Sequence, residues 1–192
     1  MKRKIAIVVC IFTLINAGVL MADELVLDDF VDADGISSLG TQWQGFTDRV
    51  MGGKSDMSAG LRQEDIRFLR MEGEVSLENN GGFIQVRLPL NPGNGSFDAS
   101  RYSGIKVRYR SFRSGSYYLH LRTRQTRLPW AHFAAALPES LGWTEARIPW
   151  SAFESELTLL RRPNTGSLTS IALVAAKQEF AAGIDLGYIG LY

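Results

Sequence analysis

Apolar and polar residues alternate along much of this chain, and the alternation has a period of two. Ile84, Val86 and Leu88 fall on one side of an extended segment, with Phe83, Gln85 and Arg87 on the other. Ile105, Val107 and Tyr109 alternate with Lys106, Arg108 and Arg110, and Tyr117, Leu119 and Leu121 with Tyr118, His120 and Arg122. That period belongs to a strand with one buried face. Further strands are expected at Leu25–Phe30, Ile66–Met71, Val75–Leu77, Trp130–Leu137, Trp143–Pro149, Leu168–Ala176 and Ile184–Leu191. Glu72-Gly73-Glu74 reads as a turn, as do Asn91 to Gly95, Ser114 to Ser116, Leu141-Gly142 and Arg162 to Gly166. Residues 32–63 look least regular and are expected to supply loops over one end or edge. A helical period appears only at Ser151 to Glu156, where Ser151 and Glu154 are spaced as a capping box. About ten short strands with Gly-rich turns predict an all-β fold, an antiparallel jelly-roll β-sandwich.

The first residues follow a different rule. Met1-Lys2-Arg3-Lys4 precede an almost wholly apolar run from Ile5 to Leu20, and Met21-Ala22-Asp23 offers a cleavage region. The pattern is that of a secretory signal peptide, residues 1–22, cut after Ala22 or, alternatively, after Ala17. An uncleaved anchor is the competing reading, since the run almost spans a bilayer. The expectation is a periplasmic or secreted product in which residues 23–192 form one domain. Cleavage would remove Cys10, the only cysteine, and three basic residues, leaving 18 Lys and Arg against 20 Asp and Glu. With no thiol left, a hydrophobic core must hold the domain together. A near-neutral charge gives no footing for nucleic acid. Beyond residue 22 no apolar run approaches the length of a transmembrane segment.

Three groups of residues are candidates for function. Asp48-Arg49-Val50-Met51-Gly52-Gly53-Lys54-Ser55 has two glycines that permit positive φ or close backbone approach, and side chains able to bond backbone groups. Either the loop presents Asp48, Arg49 and Lys54 at a ligand edge, or it is a buried turn in which Asp48 and Ser55 satisfy backbone groups and Met51 fills the core. Asn79-Asn80-Gly81-Gly82 reads as a tight type I′ hairpin turn, with Asn80 a candidate at a binding rim. The alternation defines the third group. Lys106, Arg108, Arg110, Tyr118, His120 and Arg122 face away from the core, joined by Gln85 and Arg87, with Trp130 and His132 placed to be added by a neighbouring strand. Arginines beside aromatics can bind an acidic glycan, a carboxylate or an acidic protein surface through fork-shaped bonds and stacking. The same pattern also describes an ordinary solvated sheet face. No catalytic centre is expected. The only histidines are His120 and His132, and nothing matches a metal-binding histidine motif, a nucleophile elbow or a dense acidic calcium loop. Neither a metal nor a cofactor is expected.

Trp43, Asp48 to Ser55, Gly73, Asn80-Gly81-Gly82-Phe83 and Arg87 together resemble the complex I intermediate-associated protein 30 family. Asp98 to Gly104, Trp143, Ile148-Pro149, Phe153 and Gly183 to Ile189 agree with that resemblance. It implies a galactose-binding-domain-like jelly roll. The family's mitochondrial members are chaperones for assembly of the respiratory NADH dehydrogenase. An exported chain would not meet those intermediates, so fold transfers more readily than role. The expectation is a non-catalytic binding module that assists protein assembly or folding in the bacterial envelope. The alternative is a carbohydrate-binding module, with Trp43, Tyr118 and Trp130 as exposed-aromatic candidates. The partner is accordingly an envelope protein or a glycan.

Overall fold

The computed structural model describes residues 24–192. The signal-peptide segment lies outside the described residues. Twelve strands run in chain order: β1 (Leu25–Asp28), β2 (Gln44–Thr47), β3 (Asp56–Gln63), β4 (Arg67–Val75), β5 (Phe83–Pro89), β6 (Gly104–Ser111), β7 (Tyr117–Thr123), β8 (His132–Leu137), β9 (Thr144–Pro149), β10 (Glu154–Glu156), β11 (Leu168–Ala176) and β12 (Phe180–Leu191). They form two six-stranded antiparallel sheets. The first has the order β3-β4-β12-β6-β9, with β1 also pairing β12; the second has the order β10-β8-β7-β11-β5-β2. This is the expected all-β jelly-roll sandwich. Among the described residues, no helix is long and apolar enough to cross a membrane.

The core fills the space between the sheets with the residues that the period of two assigned to it. Ile105, Val107 and Tyr109 from β6 meet Tyr117, Leu119 and Leu121 from β7, and Ile84, Val86 and Leu88 from β5. Burying such side chains is worth roughly 1.5–3 kcal/mol each. The buried tyrosines keep their hydroxyls satisfied. Tyr109 donates to the Pro138 carbonyl at 2.7 Å, and Tyr117 Oη accepts from the Gly183 amide at 2.8 Å.

Several local expectations need correction. Residues 32–63 hold two strands, β2 and β3, at the sheet edges. Glu72-Gly73-Glu74 is no turn but the C-terminal part of β4, paired along its length with β3 and β12. Asn79 to Gly82 makes no hairpin, because β4 and β5 belong to different sheets. A short 3-10 turn over Glu78–Asn80 carries the chain across instead, with Asn79 at φ 57°. The helix near Ser151 is one 3-10 turn, Trp150–Ala152, without a side-chain cap, and Glu154 to Glu156 go on as a strand.

Candidate functional site

The Asp48–Ser55 loop joins the second sheet to the first, and Asp48 is its anchor. Its carboxylate is fully buried and accepts from the Ser55 amide (2.9 Å), the Ser55 hydroxyl (2.5 Å), the Gly82 amide (2.6 Å) and the Phe83 amide (3.4 Å). Burial pushes its pKa up, but the bonds from Ser55, Gly82 and Phe83 outweigh that and hold it below the usual carboxylate value. Gly52 lies at φ 90° and donates to the Arg49 carbonyl, while a Cβ on Gly53 would sit 2.3 Å from Asp48 Cγ. Gly81 is equally close to the carboxylate. Asp48 and Ser55 thus satisfy backbone groups as a buried turn would, and Asp48 is not available at a ligand edge, while Arg49 to Gly52 and Lys54 between them are exposed. Met51 does not fill the core, however; it is 52% exposed. Arg49 Nε donates to the Ser55 carbonyl at 3.0 Å, and Lys54 pairs with Glu78. Trp43 is half-buried. It packs on the core and donates from Nε1 to Asp28 at 2.8 Å. Trp43 and Arg49 line an open cleft of about 560 Å³ between the edge strands β2 and β3.

The basic residues expected on one face lie on two. Strands β6 and β7 belong to opposite sheets, so their outward residues point away from each other. Arg108 and Arg110 lie on the outer face of the first sheet. There Asp185, fully buried, receives Arg70 through two bonds (2.8 and 2.9 Å) and Arg110 Nε at 2.8 Å. Arg110 also reaches Glu64 at 2.8 Å and covers the Trp143 ring at 4.7 Å, while Arg108 lies 5.5 Å from the same ring.

The outer face of the second sheet brings together Arg87, Tyr118, His120 and Arg122, with Trp130 on the loop before β8. The register sets them in rows: Gln44, Arg87, Ala172, His120 and Ala134 are successive cross-strand partners. His120 stacks on His132, centroids 3.9 Å apart and planes 19° from parallel. His132 Nδ1 bonds the Trp130 carbonyl at 2.8 Å; a carbonyl only accepts, so Nδ1 carries the proton. Burial first, then His132 and Lys177, hold the His120 pKa well below the usual imidazole value. Burial, Lys177 and Arg122 lower that of His132, against the Trp130 carbonyl and Glu156. Both imidazoles are neutral near pH 7. Arg87 donates to Gln44 Oε1 at 2.9 Å and lies 4.4 Å over the Phe46 ring. Arg122 spends its donors on three carbonyls, those of Thr126, Leu128 and Pro129, at 2.8–2.9 Å. It is a clamp on the loop that carries Trp130, which is 48% exposed.

Arg87 Nε, His120 Nε2 and His132 Nε2 are buried without a hydrogen-bond partner, and all three lie on this face. Buried polar atoms left unpaired are rare and mark places where a partner is expected. Phe46, Lys177 and Glu156 belong to the same surface but escaped the sequence reading. Phe46 lay in the supposed loop region, and Lys177 and Glu156 meet each other only through the fold.

The chain belongs to the complex I intermediate-associated protein 30 family, whose model matches residues 29–178. Its fold is similar to the family 11 carbohydrate-binding module of a cellulosomal cellulase of Clostridium thermocellum. The TM-score is 0.69 at 15% identity, over 88% of this chain and 94% of that one. A structure of a family 11 module from the same organism in complex with a β-1,3-1,4-mixed-linked tetrasaccharide gives 0.67 at 14% identity, with 88% and 94% covered. A family 30 carbohydrate-binding module gives 0.58 at 11% identity, with 88% and 98% covered. No match to a curated protein sequence is found.

Proposed function

We propose that this protein is a non-catalytic carbohydrate-binding module whose site is the outer face of the second sheet. The observation that carries the reading is the grouping there of three planar polar groups, Arg87, His120 and His132, each with one nitrogen that makes no hydrogen bond, with the Tyr118 ring and the loop that carries the half-exposed Trp130. Sugar hydroxyls need donors and acceptors held in fixed directions, and the apolar faces of sugar rings pack on aromatic rings. The likeness to whole carbohydrate-binding modules supports the same reading. The two fully buried carboxylates, Asp48 and Asp185, are consumed by internal hydrogen bonds, which favours binding over acid–base chemistry. Assistance to protein assembly in the envelope rests on the family description alone. A periplasmic or secreted location rests on the pattern of residues 1–22.

Affinity electrophoresis in gels containing mixed-linked β-glucan, agarose, pectin or other polysaccharides tests the proposal. At least one should retard the protein, and Trp130→Ala should reduce that retardation about tenfold without changing the unfolding midpoint. Retardation by none, together with capture of a defined envelope protein, would overturn it.

A further inference from the structure

Resting on that reading, we infer that the saccharide bound on this face is anionic, with a carboxylate or sulfate received by the Arg87 guanidinium. Arg87 stands on β5, between β11 and the edge strand β2 of the second sheet. Its neighbours are a neutral amide, Gln44, and an aromatic ring, Phe46. Its Nε is buried and makes no hydrogen bond. No ion pair to a carboxylate exists for Arg87 or Arg122 among the described residues, and each repels the other's charge. The acidic residues of this surface, Glu154 and Glu156, lie at the far edge on β10, where Glu156 is taken by Lys177 and faces His132.

The first sheet shows what the same residue type looks like when the protein supplies its counter-ion. Arg70 and Arg110 there share Asp185 and reach Glu64. A half-buried guanidinium without an anion costs free energy that an incoming anion recovers through paired, charge-assisted bonds. Burial lowers the pKa of Arg87, as expected for a cation drawn out of water with no counter-charge. Across Ala172, His120 and its stacked partner His132 add unpaired Nε2 atoms. Two strand spacings place His120 roughly 10 Å from the Arg87 strand, and His132, on β8, lies one spacing further out. An anionic group at Arg87 and hydroxyls at the imidazoles would therefore be read from successive parts of one ligand.

The test uses matched polysaccharides that differ only or mainly in charge: polygalacturonate against its fully methyl-esterified form, and κ-carrageenan against its desulfated form. With the unaltered protein in 50 mM salt, one charged member should bind at least tenfold more tightly than its neutral counterpart. The preference should shrink in 500 mM salt, and this needs no variant. Arg87→Met should bring the affinity to the level of the neutral counterpart, with Arg87→Gln as a second variant should the first fail to fold. Arg108→Ala, on the opposite sheet, should leave the preference intact. Equal binding of both members of each pair would overturn the anionic ligand and leave the glycan reading standing. A charge preference that survives at Arg87→Met, or is lost equally at Arg108→Ala, would overturn Arg87 as its receiver. Binding to none of the four, nor to mixed-linked β-glucan, would overturn both.

Discussion

The two outer faces of the sandwich use the same residue, arginine next to aromatics, in opposite ways. On the first sheet Arg70 and Arg110 converge on the fully buried Asp185 and lie over Phe68, Phe112 and Trp143, so charge and rings are mutually satisfied. On the second sheet Arg87 has a ring and an amide but no acid, and across Ala172 two stacked imidazoles each have a nitrogen without a hydrogen bond. One face carries its own counter-ion; the other carries none for Arg87 or Arg122 among the described residues. A count of basic residues cannot distinguish the two, whereas a search for their counter-ions does.

The strongest way to break this contrast is Asp185→Ala. It strands two guanidinium groups, and we expect a loss of about 3–5 kcal/mol in urea unfolding. A loss below about 1 kcal/mol would show that the first face is no more internally paired than the second. Gly53→Ala calibrates the scale from outside both faces. A Cβ there meets the Asp48 carboxylate, and displacing its bonds should cost about 1–3 kcal/mol.

Acid sharpens the contrast in a different way. His120 and His132 have pKa values lowered by burial, so below about 6.5 the unfolded chain takes up protons that the folded chain refuses. Stability should be full above that value and fall as pH drops below it, down to the folded-state pKa values. Urea midpoints between pH 7.5 and 5 should decline, and less so in His120→Gln/His132→Gln; an equal decline in both would remove the histidines as the cause. Asp48, whose pKa is lowered, adds a separate loss only as pH falls below about 3.8. The smallest expected effect is that of Arg87→Met, which should change stability by less than about 1 kcal/mol because it loses no ion pair, only one exposed hydrogen bond to Gln44 and the stack on Phe46.

The sequence displays which residues share a side of each strand, and β5, β6 and β7 follow that reading closely. It does not display which sheet a strand joins. The five residues between β6 and β7 cross from one sheet to the other, and that crossing divides Arg108 and Arg110 from His120 and Arg122. Strand β3 was illegible because Asp-Met-Ser-Ala-Gly-Leu-Arg-Gln is an edge strand with little to bury. Gly73 looked like a turn residue; in the structure a Cβ there would lie 2.0 Å from the Asp56 carbonyl, so it serves close approach between β3 and β4. The Asp48–Ser55 motif was legible as something special, and its structural half was visible in the paired glycines and the serine. The face built from Arg87, His120 and His132 depends on long-range pairing, and only fragments of it could be read.

The strand order has a consequence for the timing of folding. In the first sheet β12 separates β3-β4 from β6-β9, and in the second β11 separates β5 from β7. Neither sheet can therefore grow from its early strands outward as the chain is synthesised. Each half waits for residues 168–191, which enter the two sheets as neighbouring strands linked through Lys177 to Glu179. Until those residues have been made, the earlier strands have edges without partners. Completion of both layers is then a single late event in the life of the nascent chain.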